Sequence, residues 1–180
     1  MVGRSVGVAV PAAGGGRRLG GMKKAFLEVA GEPLLVHALQ PFLAHPEVEA
    51  VVVALPPADV DGATEWLTRL DARIRVVPGG STRMRSVHGA LRALPPSVDV
   101  VLVHDAARPL VEREIIDRCL AGVREGEGAV AGWPSTDTLK EVDGDGRVLS
   151  TPSRSSFWRA QTPQGFPREM LLSAYAEAET

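Results

Sequence analysis

The chain has 180 residues, a formal net charge of −2 at pH 7 and one cysteine, Cys119. That length suits one domain with a substantial core, and a near-neutral balance with locally gathered cations argues against a nucleic-acid binder. A lone cysteine permits no internal disulfide, no apolar run is long enough to span a membrane, and no signal-peptide pattern opens the chain, so a cytoplasmic protein without a membrane partner is expected.

Val6, Val8 and Val10 mark a first buried strand over residues 6–10. The stretch after it, from Pro11 to Phe26, holds five glycines and the cations Arg17, Arg18, Lys23 and Lys24. Glycines let a backbone approach a ligand closely, and backbone N–H groups with Arg and Lys suit a polyphosphate. Two familiar phosphate loops do not fit. In the G-x-G-x-x-G fingerprint the third glycine falls on Leu19, and in the Walker A pattern Met22 stands where lysine belongs.

Pro33 opens a helix whose buried stripe reads Leu34, Leu35, Ala38, Leu39, Phe42 and Leu43. Residues 48–55 form an unbroken apolar run, expected as a strand buried on both faces. A helix over 59–70 and a short strand over 74–77 follow. Gly79 and Gly80 end that strand, and Ser81 or Thr82 caps a helix in which Met84, Val87 and Leu91 face the core while Arg83 and Ser86 share another face. Residues 98–103 are the fourth strand, with His104-Asp105-Ala106-Ala107-Arg108-Pro109 at its end. A helix over 112–124, with Cys119 as a small core residue, and a strand over 129–133 complete the rhythm. Strands alternating with helices predict an α/β fold: a three-layer α/β/α, Rossmann-like nucleotide-binding domain with a mainly parallel sheet. Ligands bind such sheets at the carboxyl ends of the strands, where all three loops converge.

Beyond Trp133 the pattern changes. Asp143-Gly144-Asp145-Gly146 is a hairpin turn between two weakly hydrophobic strands, giving a projecting β-arm at about 136–156. An isolated hairpin is marginal in water, so the arm is expected to pack, with the same arm of a second copy as its partner. Trp158 is expected to anchor the base of the arm. Residues 157–166 return to the body, and a helix over 167–179 follows.

Asp105 suits either of two roles: capping the turn after the fourth strand, or holding Mg²⁺ beside substrate phosphates. His104 orients that turn by hydrogen bonding. Arg154, read alone, is a surface charge, and Ser86 gains interest only because Gly79 and Gly80 open its helix to a base. No serine has a His and Asp partner pattern, so nucleophilic hydrolysis has no support.

Five ordered segments then carry a family resemblance: Ala12-Ala13-Gly14-x-Gly16-x-Arg18; Gly79-Gly80-x-x-Arg83-x-x-Ser86-Val87; Val103 through Pro109; Asp137-Thr138-x-Lys140; and Trp158-x-Ala160-Gln161-Thr162-Pro163-Gln164-x-Phe166. Together they resemble the 2-C-methyl-D-erythritol 4-phosphate cytidylyltransferases of non-mevalonate isoprenoid synthesis, over the whole chain. The resemblance implies transfer of CMP from CTP to that sugar phosphate, with Mg²⁺ as cofactor and pyrophosphate released. It places Gly14, Gly16, Arg18 and Lys24 at the triphosphate, with Arg18 and Lys24 catalytic. Ala12, Ala13, Gly80 and Ser86 fall at cytosine, and Arg83 in the nucleotide site. Asp105 is the metal-linked aspartate, and Arg108 and Thr162 meet the sugar phosphate. Thr138 and Arg154 are arm residues that reach the neighbouring site of a homodimer. The family has Pro-Lys-Gln where this chain has Lys23-Lys24-Ala25, and alignment favours Lys24 over Lys23 as the phosphate ligand. The family also continues past the position of Thr180 with a Thr-Asp-Asp/Glu segment, a strand and a lysine, so the sequence is expected to be part of a longer protein. The alternatives are a ribitol-5-phosphate cytidylyltransferase and a catalytically silent nucleotide-binding protein.

Overall fold

The computed structural model describes residues 4–14 and 23–178. In chain order the elements are β1 (Val6–Pro11), β2 (Glu28–Val29), β3 (Glu32–Pro33), α1 (Leu34–Leu43), β4 (Val48–Leu55), α2 (Val60–Leu70), β5 (Ile74–Pro78) and α3 (Arg83–Ala93). They continue with β6 (Val100–Val103), α4 (Arg113–Gly122), β7 (Ala129–Pro134), β8 (Glu141–Val142), β9 (Val148–Ser150), β10 (Trp158–Pro167) and α5 (Arg168–Ala178). The main sheet runs β5-β4-β1-β6-β10-β7. β5, β4, β1 and β6 pair in parallel, while β10 is antiparallel to both β6 and β7.

Alternation along the buried strands divides the core in two. Val8 and Val10 of β1, Val53 and Leu55 of β4 and Leu102 of β6 meet α1, α2 and α4 through Leu39, Phe42, Leu67 and Ile116. On the opposite face Ala9, Ala50, Ala54 and Val101 meet α3 and α5 through Val87, Ala90, Leu91 and Leu171. This gives the expected three layers. The strands present Ala9, Ala50 and Ala54 beside Val52, Val101 and Val103 on this second face, and Gly7 gives room to Leu94 at the end of α3, whose side chain would lie 2.8 Å from an added Cβ.

Several boundaries follow the sequence pattern closely, among them β4, β5 and α2. Thr82, not Ser81, caps α3: its Oγ1 accepts from the Arg85 N–H at 3.1 Å. Met84, expected in the core, is instead 38% exposed, because burial in α3 begins only at Ser86 and the residues of its first turn before that are all exposed. In α1 the buried stripe is centred on Leu35, Val36, Leu39 and Phe42, while Leu34 and Leu43 are half-buried at its margins. β10 was not anticipated as a strand. Its Gln-Thr-Pro-Gln-Gly stretch is polar and carries a proline that cannot donate to a ladder, yet it pairs Gln164 with Val103 on one side and with Val130 on the other.

The arm is a two-stranded unit, β8 with β9, whose strand residues are all exposed. Its turn is closed by Asp143, whose Oδ1 accepts from the N–H groups of Asp145 and Arg147, both at 2.9 Å. Trp158 does not anchor the base of this arm in the single chain. It is 65% exposed, because β10 directs it outward beside Gly132 rather than under the hairpin. No helix among the described residues is long and apolar enough to cross a membrane.

Candidate active site

Three strands end at one edge of the sheet, and their ladders run on into the loops. The Ala12 N–H donates to the Ala54 carbonyl at 2.8 Å, Gly79 to Leu55 at 2.7 Å, and His104 to Ala9 at 3.0 Å. The loops after β1, β5 and β6 therefore start from fixed positions side by side. Between them lies a cleft of about 560 Å³ that includes Ala12, Ala13, Gly14, Lys24, Gly80, Arg83, Ser86 and Asp105 in its wall. These eight expected site residues come together from four separate segments. Gly16 and Arg18 lie outside the described residues.

Close approach explains the glycine at position 79. A Cβ there would sit 2.3 Å from the Ala13 Cβ and 3.2 Å from the Leu55 carbonyl oxygen, so only glycine lets the β1 and β5 loops touch. Ser86 is buried, and its Oγ accepts from the Gly80 N–H at 3.1 Å while donating to the Thr82 carbonyl at 2.9 Å. The hydroxyl is thus a clasp between helix and loop that sets the Gly80 backbone.

The two adjacent lysines separate cleanly. Lys23 Nζ lies 2.6 Å from both carboxylate oxygens of Asp59, at the start of α2. Lys24 lines the cleft. Of the two, Lys24 alone is in the cleft wall.

Asp105 sits where the cleft meets a second groove. One oxygen takes two bonds from Arg83, at 2.9 Å from Nη2 and 3.1 Å from Nε, and the other is 3.2 Å from Arg108 Nε. Arg108 Nη1 also donates to the Gln161 carboxamide oxygen. The groove beyond, about 790 Å³, is lined by Arg108, Gln161 and Thr162 together with Arg118, Trp133 and Trp158, and it shares Ala107 with the first cleft.

Behind Asp105 the imidazole of His104 is 1% exposed. Burial pushes its pKa down to about 4, so it is neutral at physiological pH. Nε2 lies 3.0 Å from the Arg108 carbonyl, which can only accept, so the ring proton is on Nε2. Nδ1, 3.0 Å from Thr162 Oγ1, must then accept the threonine proton. The Thr162 oxygen in turn accepts the Asp105 N–H at 3.2 Å. This chain holds Asp105, Arg108 and Thr162 in one register, as expected of His104. It also commits the Thr162 hydroxyl proton to His104 rather than to a phosphate.

Thr138 and Arg154 line neither cavity of their own chain; Arg154 Nη1 donates to the Thr136 carbonyl at 2.9 Å, within the arm. The sequence did not disclose the double engagement of Asp105. Its pairing with Arg108 is an i, i+3 contact that spacing could have offered, but Arg83 is 22 residues away. Nor does the motif around Gln161 disclose that its carboxamide oxygen accepts from Arg108.

Among the described residues no three His, Cys, Asp or Glu side chains gather as a metal cage. A Mg²⁺ that keeps waters and takes substrate phosphates needs only one or two carboxylates. Asp105, with its side chain 31% exposed at the cleft wall, fits that requirement.

The wider comparisons agree with this architecture. A family model described as IspD, 2-C-methyl-D-erythritol 4-phosphate cytidylyltransferase, matches residues 6–180. A cytidylyltransferase of that name from Frankia casuarinae is 46% identical over 173 residues, covering 95% of this chain and 64% of its own length. One from Salinibacter ruber is 46% identical over 173 residues, covering 95% of this chain and 72% of its own. The crystal structure of the 4-diphosphocytidyl-2C-methyl-D-erythritol synthase from Anaerococcus prevotii superposes with a TM-score of 0.87 at 28% identity, over 98% of this chain and 76% of that one. The chain therefore spans roughly two thirds to three quarters of these proteins. With the strand-end cleft, the ordered motifs and the sheet topology all in agreement, the chain belongs to the 2-C-methyl-D-erythritol 4-phosphate cytidylyltransferase family of nucleotidyltransferases.

Proposed function

We propose that the protein transfers CMP from CTP to 2-C-methyl-D-erythritol 4-phosphate, giving the 4-CDP alditol and pyrophosphate, for isoprenoid precursor synthesis in the cytoplasm. The observation that carries this reading is the meeting of two cavities at Ala107, close to Asp105, one with Lys24 and Arg83 in its wall and the other with Arg108. Two anionic substrates laid in them would meet where the cations converge.

In this reading a phosphate oxygen of the alditol attacks the α-phosphorus of CTP in line with the departing pyrophosphate oxygen. A phosphate monoester has its second pKa at roughly 6, so it is already ionised near neutrality and needs no general base. The main barrier is bringing two anions together. Lys24, and Arg18 from the glycine loop, neutralise the triphosphate, while the cleft and groove hold the reactants in line. The Gly80 backbone, set by Ser86, and Ala12 and Ala13 form the wall for cytosine. Arg108 binds the sugar phosphate, and Thr162 contributes by holding Asp105 and Arg108 in position. Asp105 would hold Mg²⁺, which when bound supplies further charge neutralisation on phosphate oxygens. The arm makes the homodimer, bringing Thr138 and Arg154 of one copy to the site of the other.

The deciding assay is pyrophosphate release from CTP with methylerythritol phosphate, run beside ribitol 5-phosphate and with Mg²⁺ or EDTA. Turnover with the first acceptor and Mg²⁺ only is expected. Preference for ribitol phosphate, or CTP binding without turnover by a folded dimer, would overturn the assignment.

A further inference from the structure

Asp105 has two oxygens, and each already faces a guanidinium from a different cavity. Arg83 comes from α3 on the nucleotide side, 22 positions away in sequence, with two bonds to Oδ1. Arg108 comes from the loop on the groove side, with one bond to Oδ2. Their side chains are 49% and 43% exposed, and that of Asp105 31%. The pairs are therefore open to solvent, and exposed ion pairs of this kind contribute little and exchange readily. A phosphate offers a guanidinium the same planar, two-oxygen geometry as a carboxylate, with more charge.

We propose that Arg83 and Arg108 form a displaceable clamp on Asp105, each guanidinium moving to a phosphate oxygen of the substrate on its own side and so releasing the carboxylate to bind a divalent cation. The consequence is a coupling between sites. Without substrates the cation competes with two arginines for one carboxylate. Each phosphate that captures an arginine removes one competitor, and by linkage the cation favours the phosphate-bound state in return. Arg83 serves the nucleotide and Arg108 the acceptor, so the cation binds tightly only when reactants are present. The clamp rests on the reading of Asp105 as the cation ligand, and the test separates the two.

The experiment measures Mn²⁺ binding to the substrate-free full chain by electron paramagnetic resonance, in the wild type and in R83Q, R85Q and D105N. Arg85 is the control: it lies two residues on, carries the same charge and bonds to Ser81 Oγ rather than to Asp105. R83Q is expected to raise Mn²⁺ affinity roughly three- to five-fold, the scale of one exposed ion pair. R85Q is expected to change it by less than about 1.5-fold, as a screened charge without contact does. D105N should lower binding below the wild-type level. Equal Mn²⁺ occupancy in wild type and R83Q, at any level including none, overturns the clamp, and so does an equal gain in R85Q. Unchanged binding in D105N instead removes Asp105 from the cation site, and the underlying reading falls with it. A second arm measures CTP binding with EDTA present, where R83Q is expected to weaken affinity by roughly five-fold or more for a lost charge-assisted contact. Wild-type CTP affinity in R83Q would overturn the transfer of that arginine to phosphate. Thermal melts confirm that each variant is folded; all three altered side chains are at the surface or cleft wall.

Discussion

At the residue scale, adjacent like residues are distinguished by their partners. Lys23 is held by Asp59 at 2.6 Å, while Lys24 lines the cleft. Lys24→Ala is expected to lower kcat/KM by about 10²–10³-fold, as loss of one preorganised donor does. Lys23→Ala should cost less than about 1 kcal/mol of stability and leave turnover within a few-fold. Pyrophosphate-release kinetics and urea melts on both variants check the contrast, and Arg18→Ala should resemble the Lys24 change. Cys119 offers a separate test. Burial raises its thiol from 9.0 to about 11, so the folded chain binds the proton more tightly than the unfolded one. Its contribution is fully present below pH 9 and lost as pH rises towards 11, roughly 3 kcal/mol over two units at about 1.4 kcal/mol each. Chemical denaturation at pH 8 and pH 11 should show that fall, and Cys119→Ala should flatten it. In the native protein the thiol should resist iodoacetamide at pH 8 and react once unfolded.

At the element scale, the site depends on how closely α3 and its leading loop approach the β1 loop. α3 packs on the sheet through Val87, Ala90 and Leu91, Thr82 caps it, and Gly79 gives Ala13 room. Gly79→Ala should destabilise by about 1–3 kcal/mol through overpacking against backbone and Ala13, and weaken CTP binding by moving the cleft wall. Gly144→Ala, at an arm position with nothing within 4 Å of the added carbon, is the matched control and should do neither. Denaturant melts and nucleotide titration read both effects. β10 shows why a strand can be missed: its polar, proline-containing sequence lacks the period-2 signal, yet it lies between β6 and β7 and supplies Gln161 and Thr162 to the groove.

At the scale of the whole molecule, the arm stands out because all its strand residues are exposed. Val142, Val148 and Leu149 are 51%, 58% and 62% exposed, and a two-stranded hairpin gains stability only by packing. In the proposed homodimer, deletion of residues 137–156 should yield monomers by sedimentation velocity and abolish turnover. Arg154→Ala should keep the dimer while lowering kcat by about a hundredfold, as for a lost donor to transferring phosphates. Mixed dimers pairing an Arg154→Ala chain with a Lys24→Ala chain should recover part of the activity, because one of their two sites is intact only if the arm acts across subunits.

Much of the fold was legible in order along the chain. Val48–Leu55 reads as a doubly buried strand, the helix ending at Leu70 shows its apolar stripe, and Gly79-Gly80 and His104 through Pro109 stand where ligand loops should. Local periodicity carries that information because each strand or helix must bury a face whatever its neighbours are. The pairing of Asp105 with Arg83, the commitment of Lys23 to Asp59, the exposure of Met84 and the placing of β10 between β6 and β7 were decided by tertiary structure. Each depends on which segments the folded sheet brings within a few ångströms, and spacing along one chain does not encode distances across it.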